Sequence, residues 1–392
     1  MPAAVTGRRH PGHADPCPGA EPLHGAPGCP RYPGRVPVDR VILAEPRGFC
    51  AGVEKAIKAL AWMVRVFEPP VYCYHEIVHN RHVVDQFIAQ GVIFVDDVSE
   101  VPPGAPLMLS AHGSAPDVVE RARLDGRVVV DAVCPLVTKV HHELKVRARK
   151  GYTVLYVGHH GHEEAVGTMA VAPEAVRLLE RVEDVDALDL RPSPDGGEQA
   201  VALLAQTTLS HDEWAGIVDR ARQRFPDLWM PNRSDLCFAT TNRQAALKAL
   251  AGRTDAVVVI GSENSSNTVA LEQVAVAFGC PRVIRVNDAS ELPDDLTGTV
   301  GVTAGASAPE ALVNEVLRRL DPIHGVERSP VTVEEEYFPP PPELRELLRG
   351  LETALLFMNG APGGPTGGET PPPVLADDRD TAASDVLERL VS

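Results

Sequence analysis

From Val38 onward the chain alternates between short runs of Val, Ile and Leu and longer stretches whose apolar residues recur at helical spacing. The apolar runs at 41–44, 92–95, 106–110, 127–131, 153–157, 200–204, 256–260, 282–285 and 299–303 predict strands. Most are followed by a polar loop and then a helical run, the signature of parallel α/β units. In open α/β sheets, ligands bind beyond the carboxyl ends of the strands, so the polar residues of those loops are the candidates for chemistry.

One arrangement occurs three times. Strand 41–44 leads through Pro46-Arg47-Gly48-Phe49-Cys50-Ala51-Gly52 into a helical run at 53–65. The run 128–130 leads to Cys134 and a helix over 136–148, and 226–235 leads to Cys237 and a helix over 241–250. Glycines flanking Cys50 let the backbone bend and approach a ligand closely. The free N–H groups at a helix start favour anions and lower a thiol's pKa. Cys134 lies 84 residues after Cys50, and Cys237 lies 103 after Cys134, so each gap fits one small domain. The pattern predicts α/β domains over 38–133, 134–235 and 236–338. Residues 1–37 hold nine Pro and six Gly with no hydrophobic period and are expected to be a disordered extension. Residues 339–392, rich in Pro and Gly with a short helix candidate at 381–390, are expected to form a flexible tail.

Composition narrows the chemistry. A formal charge of −17 argues against nucleic acid as a partner. No apolar run approaches the roughly 20 residues that span a bilayer, and no apolar segment follows Arg8-Arg9 as a secretory signal requires. A cytoplasmic protein with no membrane partner is expected. Seven cysteines, an odd and scattered set without Cys-x-x-Cys, point to metal or redox use rather than disulfides. Cys17 and Cys29 fall in the disordered extension, and Cys73 and Cys280 sit among apolar neighbours as small core residues. Cys50, Cys134 and Cys237 remain. Three thiolates can hold a cubane iron–sulfur cluster and leave one iron without a protein ligand; a Cys₃ zinc site, or one nucleophilic cysteine, is equally compatible with the spacing.

The loops supply further candidates. His79 precedes a helix, where a histidine commonly caps the backbone, and His112 ends a buried strand. His159, His160 and His162 with Glu163 and Glu164 form the densest cluster; Glu164 beside His162 suits acid/base work, and Glu163 is expected to be solvated. Ser210 and Glu213 spell a capping box, whereas Thr207 has no such structural role. Ser265, Ser266 and Asn267 at a helix start make an anion cradle lacking the Gly-Lys-Ser/Thr of a P-loop. Ser307 with Glu310 spells another capping box.

These motifs together carry a resemblance. The stretches are Pro-Arg-Gly-Phe-Cys-Ala-Gly-Val at 46–53, Val-His-Asn-Arg at 78–81, Ser-Ala-His-Gly at 110–113, Cys-Pro-Leu-Val-Thr-Lys-Val-His at 134–141 and Gly-His at 161–162 with Glu164. They continue with Gln-Thr-Thr-Leu-Ser at 206–210, Cys237 with Ala-Thr-Thr-Asn-Arg at 239–243, Gly-Ser-x-Asn-Ser-Ser-Asn at 261–267 and Thr-Ala-Gly-Ala-Ser-Ala-Pro at 303–309. Between about Val38 and Phe338 the chain resembles the 4-hydroxy-3-methylbut-2-enyl diphosphate reductases, the IspH or LytB family. The resemblance implies three pseudo-equivalent α/β domains arranged as a trefoil around a central iron–sulfur cluster. It implies one 4Fe–4S cluster held by Cys50, Cys134 and Cys237, and an allylic diphosphate substrate whose terminal hydroxyl is removed by two electrons and two protons. It implies Glu164 as proton donor with Thr207 positioning the hydroxyl, and His79, His112, His162, Ser265, Ser266, Asn267 and Ser307 around the diphosphate. A ferredoxin or flavodoxin is the implied electron donor. Glu163 and Ala165 depart from the Pro and Val expected beside the acid.

Overall fold

The computed structural model describes residues 38–124, 126–190, 199–358 and 378–391. The 1–37 extension, with Cys17 and Cys29, lies outside them. The chain starts with β1 (Arg40–Glu45), buried on both faces from Val41 to Ala44, and then α1 (Ala51–Val66). It continues through β2 (Val71–Tyr74), α2 (Arg81–Ala89), β3 (Val92–Val95), β4 (Pro106–Leu109), α3 (Pro116–Ala122) and β5 (Val128–Asp131). These strands form a parallel sheet of order β3-β2-β4-β5. A second module follows: α4 (Pro135–Arg149), β6 (Thr153–Val157), α5 (Glu163–Met169), β7 (Val176–Leu179), α6 (Val182–Ala187), β8 (Val201–Ala205) and α7 (His211–Arg224), around a parallel sheet of order β7-β6-β8. The third comprises α8 (Phe238–Lys248), β9 (Ala256–Ile260), α9 (Ser266–Ala277), β10 (Val283–Val286), β11 (Thr299–Ala304), α10 (Glu310–Leu320) and β12 (Val326–Pro330).

The third sheet, β10-β9-β11-β1-β12, corrects the expected first domain. Strand β1 pairs in parallel with β11 and β12, so the chain begins inside the third sheet and crosses to the first module only after Glu45. A run buried on both faces fits the middle of any parallel sheet, so its sequence neighbours do not say which sheet it joins.

The expected flexible tail is also corrected. Helix α11 (Pro342–Met358) buries Leu344 and Leu348, and α12 (Ala383–Val391) buries Ala383, Val386 and Leu387 against α1, α2 and the first sheet. These residues recur at i, i+3 and i+4, a helical face that Pro/Gly-rich flanks obscure when composition alone is read. The 381–390 helix candidate is present as α12. Residues 359–377 lie outside the described set. Leu387, only 3% exposed, should cost roughly 2–5 kcal/mol when cut to Ala, read as a lower denaturant midpoint with an unchanged m-value. Among the described residues no helix is long and apolar enough to cross a membrane.

Candidate active site

The three crossings between modules explain how distant cysteines meet. The chain leaves β1 and enters the first module at Cys50, leaves β5 for the second at Cys134, and leaves the second for the third at Cys237. Each cysteine is the N-cap of the first helix beyond its crossing: Cys50 of α1, Cys134 of α4 and Cys237 of α8. Three helix N-termini, each with unspent N–H groups, therefore face one central cavity, and all three cysteines line it.

Gly52 shows how close the packing is, since a Cβ there would stand 2.8 Å from Cys134 Sγ and 3.9 Å from Cys50 Sγ. Burial pushes the Cys134 thiol up to about 12, and the neighbouring Cys50 adds to this, while the Leu136 and Val137 N–H groups that face the sulfur pull the other way without forming a capping bond. Cys237 is raised in the same way by burial and by both other sulfurs. Clustered buried thiols resist ionising unless a shared cation compensates them. Helix-capping sulfurs of this kind are a fitting donor set for a soft metal group. Cys73 is fully buried in β2, and Cys280 lies beyond α9 away from the cavity.

On the cavity wall, Glu164 in the first turn of α5 is 2% exposed. Its Oε1 accepts from the Thr207 N–H at 2.7 Å and its Oε2 from Thr207 Oγ1 at 2.9 Å. Burial raises its pKa to about 7 despite those two donors. The Thr207 carbonyl in turn accepts the Cys237 N–H at 2.9 Å, so acid, hydroxyl and cysteine turn form one connected unit.

A polar cradle completes the cavity. The His79 and His112 rings stack with centroids 3.9 Å apart, and His162 meets them edge-on. His162 Nδ1 accepts from the Glu164 N–H at 3.1 Å, which caps α5. Burial, then His112 and His79, lower its pKa to about 3, so it enters neutral. Ser265 caps α9, and Ser307 Oγ donates to the His79 carbonyl at 2.9 Å. Ser266 Oγ lies within hydrogen-bond reach of Gln206 and Thr208. His79 Nε2 and both side-chain polar atoms of Asn267 are buried with no protein partner, and such orphans signal a ligand.

Every site residue that the resemblance implies thus lines this one cavity. The capping box at Ser307 does not form: Pro309 is the N-cap of α10, and Glu310 pairs with Arg47 at 2.5 Å. Nor does His79 cap α2, because Asn80 does. The box at Ser210 is present. Of the three clustered histidines only His162 reaches the cavity; His159 turns toward Glu213 and the His160 N–H toward Glu180. Glu163 is not solvated. Its Oε2 lies 2.8 Å from His112 Nδ1, and although burial pushes its carboxyl up, His112, His79 and His75 outweigh this and hold it down at about 2. Sequence reasoning missed Glu76, whose Oε2 lies 3.2 Å from His79 Nδ1 and accepts from Asn264 Nδ2 at 2.8 Å. The His-Glu-x-x-His spelling at 75–79 offered only a faint signal, since the pairing depends on tertiary placement.

Three parallel α/β modules closing on three helix-capping cysteines, beside a buried acid and an anion cradle, define a recognisable class. The family model described as LytB protein matches residues 41–321, and the chain belongs to the LytB family. It is 48% identical over 300 residues to the 4-hydroxy-3-methylbut-2-enyl diphosphate reductase of Mycobacterium ulcerans, covering 76% of this chain and 89% of that one. The reductase of Acidothermus cellulolyticus is 45% identical, covering 80% of this chain and 92% of the relative. Among solved structures, the E-1-hydroxy-2-methyl-but-2-enyl-4-diphosphate reductase of Plasmodium falciparum superposes with a TM-score of 0.75 at 31% identity, covering 82% of this chain and all of that one.

Proposed function

We propose that this chain is a 4-hydroxy-3-methylbut-2-enyl diphosphate reductase acting in the cytoplasm. It would remove the allylic hydroxyl with two electrons and two protons, releasing water and giving isopentenyl and dimethylallyl diphosphate. The observation that carries this reading is the meeting, in one cavity, of three helix-capping cysteines, the Glu164–Thr207 pair and unpartnered cradle atoms. LytB proteins are iron–sulfur proteins, and the finer assignment here is one 4Fe–4S cluster on Cys50, Cys134 and Cys237. Its support is that three cysteines from three separate helix starts line one cavity, with Gly52 packed against the sulfurs of Cys134 and Cys50.

When bound, the cluster supplies electrons and a Lewis-acidic iron that lacks a protein ligand. The chain's own residues do the rest. Glu164 holds a proton at its carboxyl, and the Thr207 hydroxyl orients the leaving oxygen and passes that proton on. His79, His112, His162, Ser265, Ser266, Asn267 and Ser307 hold the diphosphate. This cradle is built of hydroxyls, amides, N–H groups and imidazoles, which is how a chain of charge −17 can take a polyanion. The buried walls keep water from the reacting centre. A ferredoxin or flavodoxin is the proposed electron donor.

Purified or reconstituted without oxygen, the chain should be brown, carry about four iron and four sulfide per chain, and reduce the hydroxylated allylic diphosphate with a low-potential dye as donor. A colourless, zinc-loaded chain that does not turn over would overturn the reading.

A further inference from the structure

Each of the three cysteine-capped helices carries one cation about a turn and a half in: Lys55 on α1, Lys139 on α4 and Arg243 on α8, which follow their cysteines by five, five and six residues. Each of them reaches across its module to the exit segment that leads into the next cysteine turn. Lys55 Nζ donates to the carbonyl of Val133, the residue before Cys134, at 2.8 Å. Lys139 Nζ donates to Asp235 Oδ1, two residues before Cys237, at 3.3 Å. Arg243 closes the circuit, donating to the Gly48 carbonyl from Nε at 3.0 Å and Nη2 at 2.7 Å, and to the carbonyl of Phe49, the residue before Cys50, at 3.1 Å.

The acceptors are themselves held in place. The Val133 N–H donates to Asp131 Oδ1 at 3.0 Å, and Asp235 Oδ2 accepts from the Ala205 N–H at the end of β8. Gly48 has φ of +67°, so its carbonyl is set by a turn that few other residues could make. Arg243 is fully buried, with Glu334 as its charge partner, and Lys55 is 8% exposed. Taking the Lys55 and Arg243 cations out of water is costly unless their hydrogen bonds are fixed. The contact itself recurs three times, Lys139 making it from a partly exposed side chain, and each time at the approach to a cysteine turn.

We propose that Lys55, Lys139 and Arg243 are positioning residues forming a closed ring, which ties the helix capped by each cysteine to the segment leading into the next cysteine, and fixes the mutual spacing of the Cys50, Cys134 and Cys237 sulfurs for their shared cofactor. The proposal rests on the reading that these cysteines hold one iron–sulfur group. Loosening any one link opens the ring and lets the two cysteine turns it joined drift apart, so each link should matter to cofactor retention more than to folding.

The test uses the reconstituted holoprotein under anaerobic conditions and follows iron release to a chelator, alongside the cluster's midpoint potential and the thermal midpoint of the chain. Lys139→Met is the primary variant, because that side chain is 44% exposed and its loss should not prevent folding. Lys55→Met is the second, with Lys55→Arg as the conservative rescue, and Lys145→Met on the exposed face of α4 is the control. Release should be about tenfold to a hundredfold faster in Lys139→Met and Lys55→Met, the range seen when partners of metal ligands are removed. Thermal midpoints should stay near the parent's, Lys55→Arg should recover most of the retention, and Lys145→Met should match the parent. Release at the parental rate in both Met variants would overturn the ring while leaving the cofactor assignment intact. A parent chain that takes up no iron would overturn that assignment and the ring with it.

Discussion

Cys134→Ser should give a chain that folds and melts at least as high as the parent yet keeps less than a tenth of its iron, with turnover falling by about 10³-fold or more. The two expectations come from the same place in the fold. Cys134 is the N-cap of α4 and makes no capping hydrogen bond with its sulfur, so the first turn begins at Pro135 with its N–H groups only weakly served. Serine is among the preferred N-cap residues and is worth about 0.5–2 kcal/mol over a poor cap. Its hydroxyl can bond the Leu136 and Val137 N–H groups that now face the sulfur. As a ligand for a soft metal, however, a serine oxygen is a poor replacement for a thiolate, and the two remaining sulfurs cannot hold the group alone. A cysteine kept for packing would behave in the opposite way, losing stability and sparing iron. Iron analysis, the visible spectrum and a thermal melt on one sample separate these outcomes. The Gly52 contact implies that the position tolerates no added bulk, which makes serine, close to isosteric with cysteine, the proper substitution.

Strands buried on both faces were legible because β-branched runs carry the signal without needing a partner. Runs 153–157 and 256–260 match β6 and β9 to the residue, and 92–95 matches β3, whose Ile93 is exposed. The strands that sequence reading passed over are β2, β7 and β12. β2 reads Val-Tyr-Cys-Tyr and β7 Val-Arg-Leu-Leu, without a run of β-branched residues, and β12 reads Val-Glu-Arg-Ser-Pro, a partly exposed edge whose place is set by its pairing with β1 and not by apolar periodicity. The site was legible wherever chemistry sits in the loop spelling itself, as with Glu164, Thr207 and the Ser265-Ser266-Asn267 run. It was not legible where one loop meets another. Glu163 looked like a solvated residue, but the turn into α5 sends Glu164 inward to Thr207 and leaves Glu163 against His112, on a loop 51 residues earlier in the chain. Likewise, nothing in the spelling of 38–50 shows that β1 belongs to the last sheet, and that crossing is what brings Cys50 to the centre.

Glu164→Gln should lower turnover by about 10²–10⁴-fold, the usual worth of a positioned proton donor, while iron content and diphosphate binding survive. The amide can keep the local geometry: its oxygen accepts the Thr207 N–H and its nitrogen donates to Thr207 Oγ1, replacing the two bonds the carboxyl now accepts. Only the transferable proton is lost. In the parent, burial lifts the Glu164 pKa to about 7 from an ordinary 4.5, so the group is protonated at mildly acid pH, and turnover should decline as pH rises through about 7. Protonated, its Oε2 donates to Thr207 Oγ1, freeing the threonine hydroxyl hydrogen to point toward the cavity. This two-step relay, from carboxyl to hydroxyl to substrate oxygen, explains why the acid itself can stay behind Thr207. The stability consequence has a definite sign. A carboxyl whose folded pKa is raised gives its full stability below the unfolded value and loses it as pH climbs through the folded one. Above pH 7 the parent therefore carries a burial cost, on the order of a few kcal/mol, that the glutamine chain does not. At pH 8 Glu164→Gln should melt no lower than the parent, and its small residual turnover should show no decline through pH 7. A LytB chain acting only as a diphosphate sensor would need no buried proton, and its Glu164→Gln variant would keep its output; a thousandfold loss of turnover in a chain that still binds iron and diphosphate places the function in the proton.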